Sequence, residues 1–226
     1  MNTNNINSPM QEIPAGEITM RDDRLKTSWN VTLQSFWLGR YPVTQELYRA
    51  VSGKSPSTFS KDAHPVESVS WLDAVLFCNQ LSEKSGLPEF YLVGTSETEI
   101  GTNAASGGYR LPTEAEWEFA CRAGTTGIRY GVLDEIAWVK ANSAGSTQAV
   151  GQKQANKFGL HDMLGNVWEW CDDLYDAEVY GSYRVFRGGG WADGERGCMV
   201  TNRRRSHPTF QIDDLGFRVA RSISTC

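Results

Sequence analysis

From about residue 125 onward the chain carries no helical periodicity, and this limits what it can fold into more than any single motif does. Nearly half of the sequence must be organised by turns, short strands and large side chains instead of long helices. The composition suits that demand, because 8 Trp and 22 Gly put many large rings between many permissive backbone positions. Within this stretch Tyr183–Phe186 and Gly216–Ala220 read as strands between glycine-rich turns.

The first half is more regular. The segment from Ile13 to Phe36 reads as short strands and turns, and three helices follow it. Thr44 can cap a turn that begins Gln45-Glu46, with Leu47 and Val51 on one face. Ser70 caps a second helix, in which Leu72, Val75, Leu76 and Leu81 approximate an apolar stripe. Gly86 is placed to end it and Pro88 prevents its resumption. In the third helix Thr113 and Glu116 form a capping box, Trp117 and Ala120 begin the buried face, and Gly124 stops it. There is no internal repeat or low-complexity linker. The expectation is one α+β domain over residues 13–226, preceded by a polar, disordered segment over residues 1–12.

Several function classes are disfavoured at once. A net charge of −5 lacks the basic excess of a phosphate-binding surface, which argues against nucleic acid. No run approaches the ~18 apolar residues of a membrane helix, and the opening MNTNNINSP has no signal-peptide pattern. A chain that began after a removed signal would look the same, so export stays open. Cys78, Cys121, Cys171, Cys198 and Cys226 are scattered, with no C-x-x-C pair or zinc spacing, and read as reduced core residues with a mobile Cys226 at the end.

Five segments occur in an order that resembles the formylglycine-generating enzyme family, the sulfatase-modifying factors. They are Tyr41-Pro42-Val43-Thr44, Pro65 to Trp71, Gly108 to Glu118 (GYRLPTEAEWE), Gly165 to Trp170 (GNVWEW), and Arg187-Gly188-Gly189-Gly190-Trp191 with Leu215 to Arg218. The resemblance spans about residues 13 to 221 and implies an α+β, C-type-lectin-like fold with few helices, short antiparallel strands and much irregular loop. Read physically, the aromatics around Glu169 anchor a loop and hold its carboxylate between two rings. Arg187 before three glycines suggests a guanidinium that bridges carbonyls or a carboxylate in a tightly packed backbone.

The family's oxidation of a substrate cysteine uses two cysteines five positions apart, which suit copper(I) as soft ligands. On that pattern Cys198 takes the second position and Asp193 the first. A carboxylate cannot replace the missing thiolate, so the resemblance implies a chain without the oxidase chemistry. Family members that use iron rely on clustered histidines, whereas His64, His161 and His207 are widely separated. The family also binds calcium before the Trp-Glu-Trp signature. This would place Asp162 and Glu169 as carboxylate ligands and Gly165 and Val167 as carbonyl ligands of a structural ion. The alternative is that Glu169 simply accepts hydrogen bonds from backbone amides.

Residues 192–214 lie between well-matched ends yet have mixed chemistry and no periodicity. The segment is similar to that of the variable proteins of diversity-generating retroelements, the Treponema type among them, which use this fold. There the variable codons derive from an asparagine codon altered only at its adenines, so Lys, Glu, Gln, Met and Trp cannot appear. The aligned positions are Ala192, Asp193, Gly194, Arg196, Gly197, Arg204, Arg205, Ser206, His207, Thr209, Phe210, Ile212, Asp213 and Asp214. None is a forbidden type, while Glu195, Met199 and Gln211 occupy positions the pattern treats as fixed.

Cys198, the Asn202-Arg203 pair and Pro208 would hold the backbone while their neighbours face out. Phe210, Arg204, Arg205 and His207 are the residue types that dominate binding energy. The plainer alternative makes Phe210 core and Arg203–Arg205 a solvated turn. The resulting expectation is a non-catalytic display protein for a protein or surface ligand, at the cell surface, with no nucleic acid partner and no required cofactor beyond a structural calcium. A copper-dependent formylglycine-generating oxidase and a non-catalytic scaffold subunit are the alternatives.

Overall fold

The structure is a computed structural model that describes residues 8–94 and 100–223. The disorder expected for residues 1–7 and the mobility expected of Cys226 fall outside the described residues. In chain order, β1 (Met10–Ile13) leads to β2 (Gly16–Asp22), β3 (Thr27–Leu33), β4 (Phe36–Gly39), α1 (Gln45–Ser52) and α2 (Trp71–Lys84). Then come β5 (Tyr91–Val93), β6 (Ile100–Thr102), β7 (Tyr109–Arg110), α3 (Glu114–Arg122) and a single turn, α4 (Leu133–Ile136). After a long irregular stretch follow β8 (Trp168–Leu174), α5 (Ala177–Tyr180), β9 (Arg184–Arg187), β10 (Arg203–Ser206), β11 (Leu215–Gly216) and β12 (Ala220–Ser222). This is the expected α+β architecture of few helices and short strands.

The strands form two four-stranded sheets, ordered β1-β4-β12-β7 and β10-β9-β8-β11, with β2-β3 and β5-β6 as separate hairpins. Pairing is antiparallel except where β11 runs parallel to β8. The first and last strands flank the same partner, since Ile13 and Ser222 both stand opposite Phe36. Order therefore starts earlier than the expected boundary at residue 12. Met10–Ile13 pairs with β4, and the buried Ile13 anchors it.

The helix caps form as expected. Thr44 Oγ1 accepts from the Leu47 amide at 3.2 Å. Ser70 with Asp73, and Thr113 with Glu116, complete reciprocal capping boxes. The apolar stripe of α2 is broader than expected and rotated, with Ala74, Val75, Phe77, Cys78 and Leu81 buried. Leu76 instead faces solvent at 43% exposure, because it lies on the opposite side of the helix from Cys78 and Ser82. The expected strand Gly216–Ala220 is split between the two sheets, with β11 in one and β12 in the other. Gly216 allows the close approach there, since a Cβ at this position would lie 2.2 Å from the Val66 carbonyl oxygen.

Between the two main hydrophobic clusters lie fully buried charges. Arg218 donates to Glu169 from Nε at 2.6 Å and from Nη2 at 2.7 Å, and Trp117 Nε1 adds a third bond at 2.7 Å. Trp168 and Trp170 pack against Phe186 on the other face of β8. The expected placement of Glu169 between its flanking rings is thus corrected: strand alternation sends the carboxylate to the opposite face. Arg187 behaves as its motif suggested, donating to the Asn202 carbonyl at 2.8 Å and to the Glu118 carboxylate.

Candidate ligand-binding surface

Residues 192–214 are built around β10, which pairs with β9 from Arg203 opposite Arg187 to Ser206 opposite Arg184. The run Arg203-Arg204-Arg205 is therefore strand, in place of the aperiodic segment or solvated turn read from the sequence, and its side chains alternate. Arg203 turns to the scaffold, with Nε and Nη2 on Glu114 at 2.8 and 2.6 Å and Nη1 on Asp22 at 3.0 Å. Arg204 turns the other way, over the Trp168 ring at 4.6 Å. Arg205 returns to the first side, where it stacks on Tyr180 at 3.8 Å and Tyr175 at 4.7 Å.

The backbone on either side is held by residues outside the fourteen aligned positions. Asn202 Nδ2 donates to the carbonyls of Arg196 at 3.2 Å and Gly197 at 2.9 Å. Arg129 donates to the carbonyls of Cys198 at 2.9 Å and Glu195 at 2.5 Å. Pro208 is buried, and its carbonyl accepts from Leu72 at 3.3 Å. The carbonyls of Ile212, Asp213 and Asp214 accept from Ser68, the Trp191 ring and Trp168 at 3.1, 3.0 and 2.7 Å. Cys198 is buried beneath Gly189, where a Cβ would meet its sulfur at 2.6 Å.

Against this frame Ala192, Gly194, Arg196, Arg204, His207, Thr209, Phe210 and Ile212 are exposed. Asp193, Arg205, Ser206, Asp213 and Asp214 are half-buried. Phe210 stands 38% exposed in a turn closed by its own amide on the His207 carbonyl at 2.9 Å, so the core alternative does not apply to it. His207 Nδ1 lies 2.8 Å from Thr209 Oγ1, which brings those two expected residues together. Gly197 is a correction: it is buried, and a Cβ there would lie 2.5 Å from that of Asp193, so it presents nothing to a ligand.

Asp193 also faces inward, its Oδ2 accepting from Trp168 Nε1 at 2.6 Å and the Gly190 amide at 3.0 Å. Its Oδ1 reaches Arg204 at 3.4 Å. Burial, with Asp193 and Asp213 nearby, pushes Asp214 up to about 6. The Cys198 thiol is pushed up to about 12, first by burial and then by the Asp193 carboxylate. A sulfur in that setting holds its proton at neutral pH, and its partner in the family's two-cysteine pattern is an aspartate already engaged by an indole.

Calcium finds a poor fit at the four residues implied by the resemblance. Glu169 is occupied by Arg218, which puts a fixed positive charge where the ion would need a negative ligand. Asp162 retains one buried oxygen without a partner, and burial raises it to about 6. Gly165 and Val167 are buried beside them. One unpaired carboxylate oxygen next to a guanidinium does not make the multidentate oxygen cage the ion requires.

The sequence reading missed the residues that aim the segment, namely Arg129, Trp168, Tyr175 and Tyr180. The available signal was the pair Tyr175 and Tyr180 ahead of the strand expected to begin at Tyr183. Among the described residues, no helix is long and apolar enough to cross a membrane.

The model of the sulfatase-modifying factor enzyme 1-like domain matches residues 2–223. The solved structure of Treponema denticola variable protein 1 superposes with a TM-score of 0.86 at 32% identity, covering 95% of each chain. Chaperone protein LppX of Paenibacillus barcinonensis is 32% identical across 85% of this chain and 82% of its own length. The inactive C-alpha-formylglycine-generating enzyme 2 of Bos taurus is 30% identical across 88% of this chain and 63% of its own length. Of three chlamydial relatives, this chain spans only 34–37% of their length.

Proposed function

Since the chain belongs to the sulfatase-modifying factor enzyme 1-like domain family, we propose that it uses this scaffold for recognition, as a non-catalytic display protein. Residues 192–214 form its receptor surface, diversified by a retroelement and presented at the cell surface to a protein or other surface ligand. The observation that carries the reading is the division within the segment. Cys198, Asn202, Arg203 and Pro208 are anchored in the scaffold, while Arg196, Arg204, His207, Thr209, Phe210 and Ile212 project from it. A rigid backbone carrying interchangeable side chains lowers the ordering cost of each new contact. The likeness to a variable protein at 32% identity, and to a relative described as inactive, supports the same reading.

The test has two arms. Libraries that randomise the six projecting positions should yield mostly folded protein with melting temperatures near the parent, whereas substitutions at Asn202 or Arg203 should not. Sequencing the segment from independent isolates should find changes confined to the aligned positions. Identical sequences through 192–214 in every isolate would overturn diversification, and a Cys198-dependent copper(I) site would favour the oxidase instead.

A further inference from the structure

Away from the aligned positions, a depression of about 240 Å3 opens to solvent between the β2–β3 turn and the end of β8. Its walls are apolar and accessible: Leu25 is 55% exposed, Trp29 41% and Leu174 43%. Its floor carries four carboxylates, Asp22, Glu114, Asp173 and Asp176, with Arg203 among them. Three of these carboxylates are already engaged. Asp22 and Glu114 hold Arg203, and Asp176 holds Arg24 and caps α5. Asp173 differs. One of its oxygens accepts from the Glu114 amide at 2.6 Å, and no other donor to its carboxylate is found among the described residues.

An apolar slot ending at a carboxylate with an unused oxygen matches a cation carried on a hydrocarbon stem. An aromatic ring at the mouth adds attraction for positive charge. We propose that this depression binds an alkylammonium group, with the head at Asp173 and the stem between Trp29 and Leu25. The chemistry is common to a lysine side chain of a partner protein and to a free amine. Burial, with Glu114, Asp172 and Glu116 close by, pushes the Asp173 carboxyl up to about 7, and a bound cation would draw that value down. The site shares Arg203 with the floor beneath β10 yet uses none of the projecting residues, so it is independent of the display function.

The test follows the Trp29 indole N–H by two-dimensional NMR, assigned with Trp29→Phe, during titration with pentylamine, pentanol and a lysine-containing peptide. Saturable shifts with pentylamine but not pentanol, at least tenfold weaker in Asp173→Asn, are expected. A second variant, Leu174→Lys, places a cation in the slot from an exposed position and should block binding even if Asp173→Asn fails to fold. Tighter binding of the peptide than of the amine would identify a protein source, and equal binding a small-molecule source. Equal response to pentanol, or unchanged affinity in both variants, would overturn the site.

Discussion

Arg203 and Glu114 meet through two parallel hydrogen bonds, 2.8 and 2.6 Å long, although they are 89 positions apart in sequence. The pair joins β10 to the first turn of α3, and its side chains are only 12% and 5% exposed. Arg203→Ala would leave Glu114 with Arg187 alone and should destabilise the fold by about 3 kcal/mol. The neighbouring Arg204→Ala removes a side chain 53% exposed and should cost less than about 1 kcal/mol. Chemical denaturation of both variants checks the contrast. Equal costs would mean that β10 does not alternate as described.

A second prediction concerns the fully buried pair of Arg218 and Glu169. Glu169→Gln leaves a guanidinium without its counter-charge and should cost about 3–5 kcal/mol. Because Arg218 already supplies the positive charge, calcium or a chelator should shift the melting temperature of the unaltered protein by less than about one degree. A rise of several degrees with calcium would show that the ion takes Glu169 from Arg218.

Asp214 gives a pH dependence whose sign is fixed. Its carboxyl sits at about 6 in the folded chain against an ordinary 3.8. Between those values the folded chain keeps a proton that the unfolded chain has released. The contribution to stability is full below about 4 and is lost as pH rises through about 6. Asp214→Asn should therefore stabilise the protein near neutrality by on the order of 1–3 kcal/mol and change little near pH 4. Melting curves at both pH values decide the matter, and a loss at neutral pH would show that the carboxylate makes a favourable contact.

Copper provides a fourth test. With an aspartate bound to Trp168 where the family pattern has its first cysteine, copper(I) titrated into the reduced protein should show no site that depends on Cys198. Cys198→Ala should leave the stoichiometry unchanged. Tight uptake lost in that variant would mean that a second ligand lies near the sulfur.

Local signals carried the helices, because a cap such as Ser70 with Asp73 or Thr113 with Glu116 is complete within four residues. The strands were harder, because their partners are remote. Met10–Ile13 looks like a polar tail until β4 is placed beside it. Arg203–Ser206 reads as a charged run until β9 supplies its ladder and Glu114, Trp168 and Tyr180 receive its arginines. The Glu169 carboxylate was legible as buried, but not the face on which it lies, since its partner Arg218 belongs to a separate motif. At Gly197 the codon pattern pointed outward while packing against Asp193 keeps the position inside. A pattern of permitted residue types carries no information on burial.

The sharing of β4 by the first and last strands has a consequence for how the protein is made. At about 5–20 residues per second, a ribosome needs roughly 10–40 s between finishing β4 and delivering β12. During that interval β1 covers one edge of β4 while the other waits. Residues 192–214 emerge near the end of the interval, when Asp22, Glu114 and Trp168 have already left the ribosome. Residues 192–214 therefore meet partners that are already synthesised, and side chains that project from the segment enter the chain where a substitution can least disturb the early course of folding.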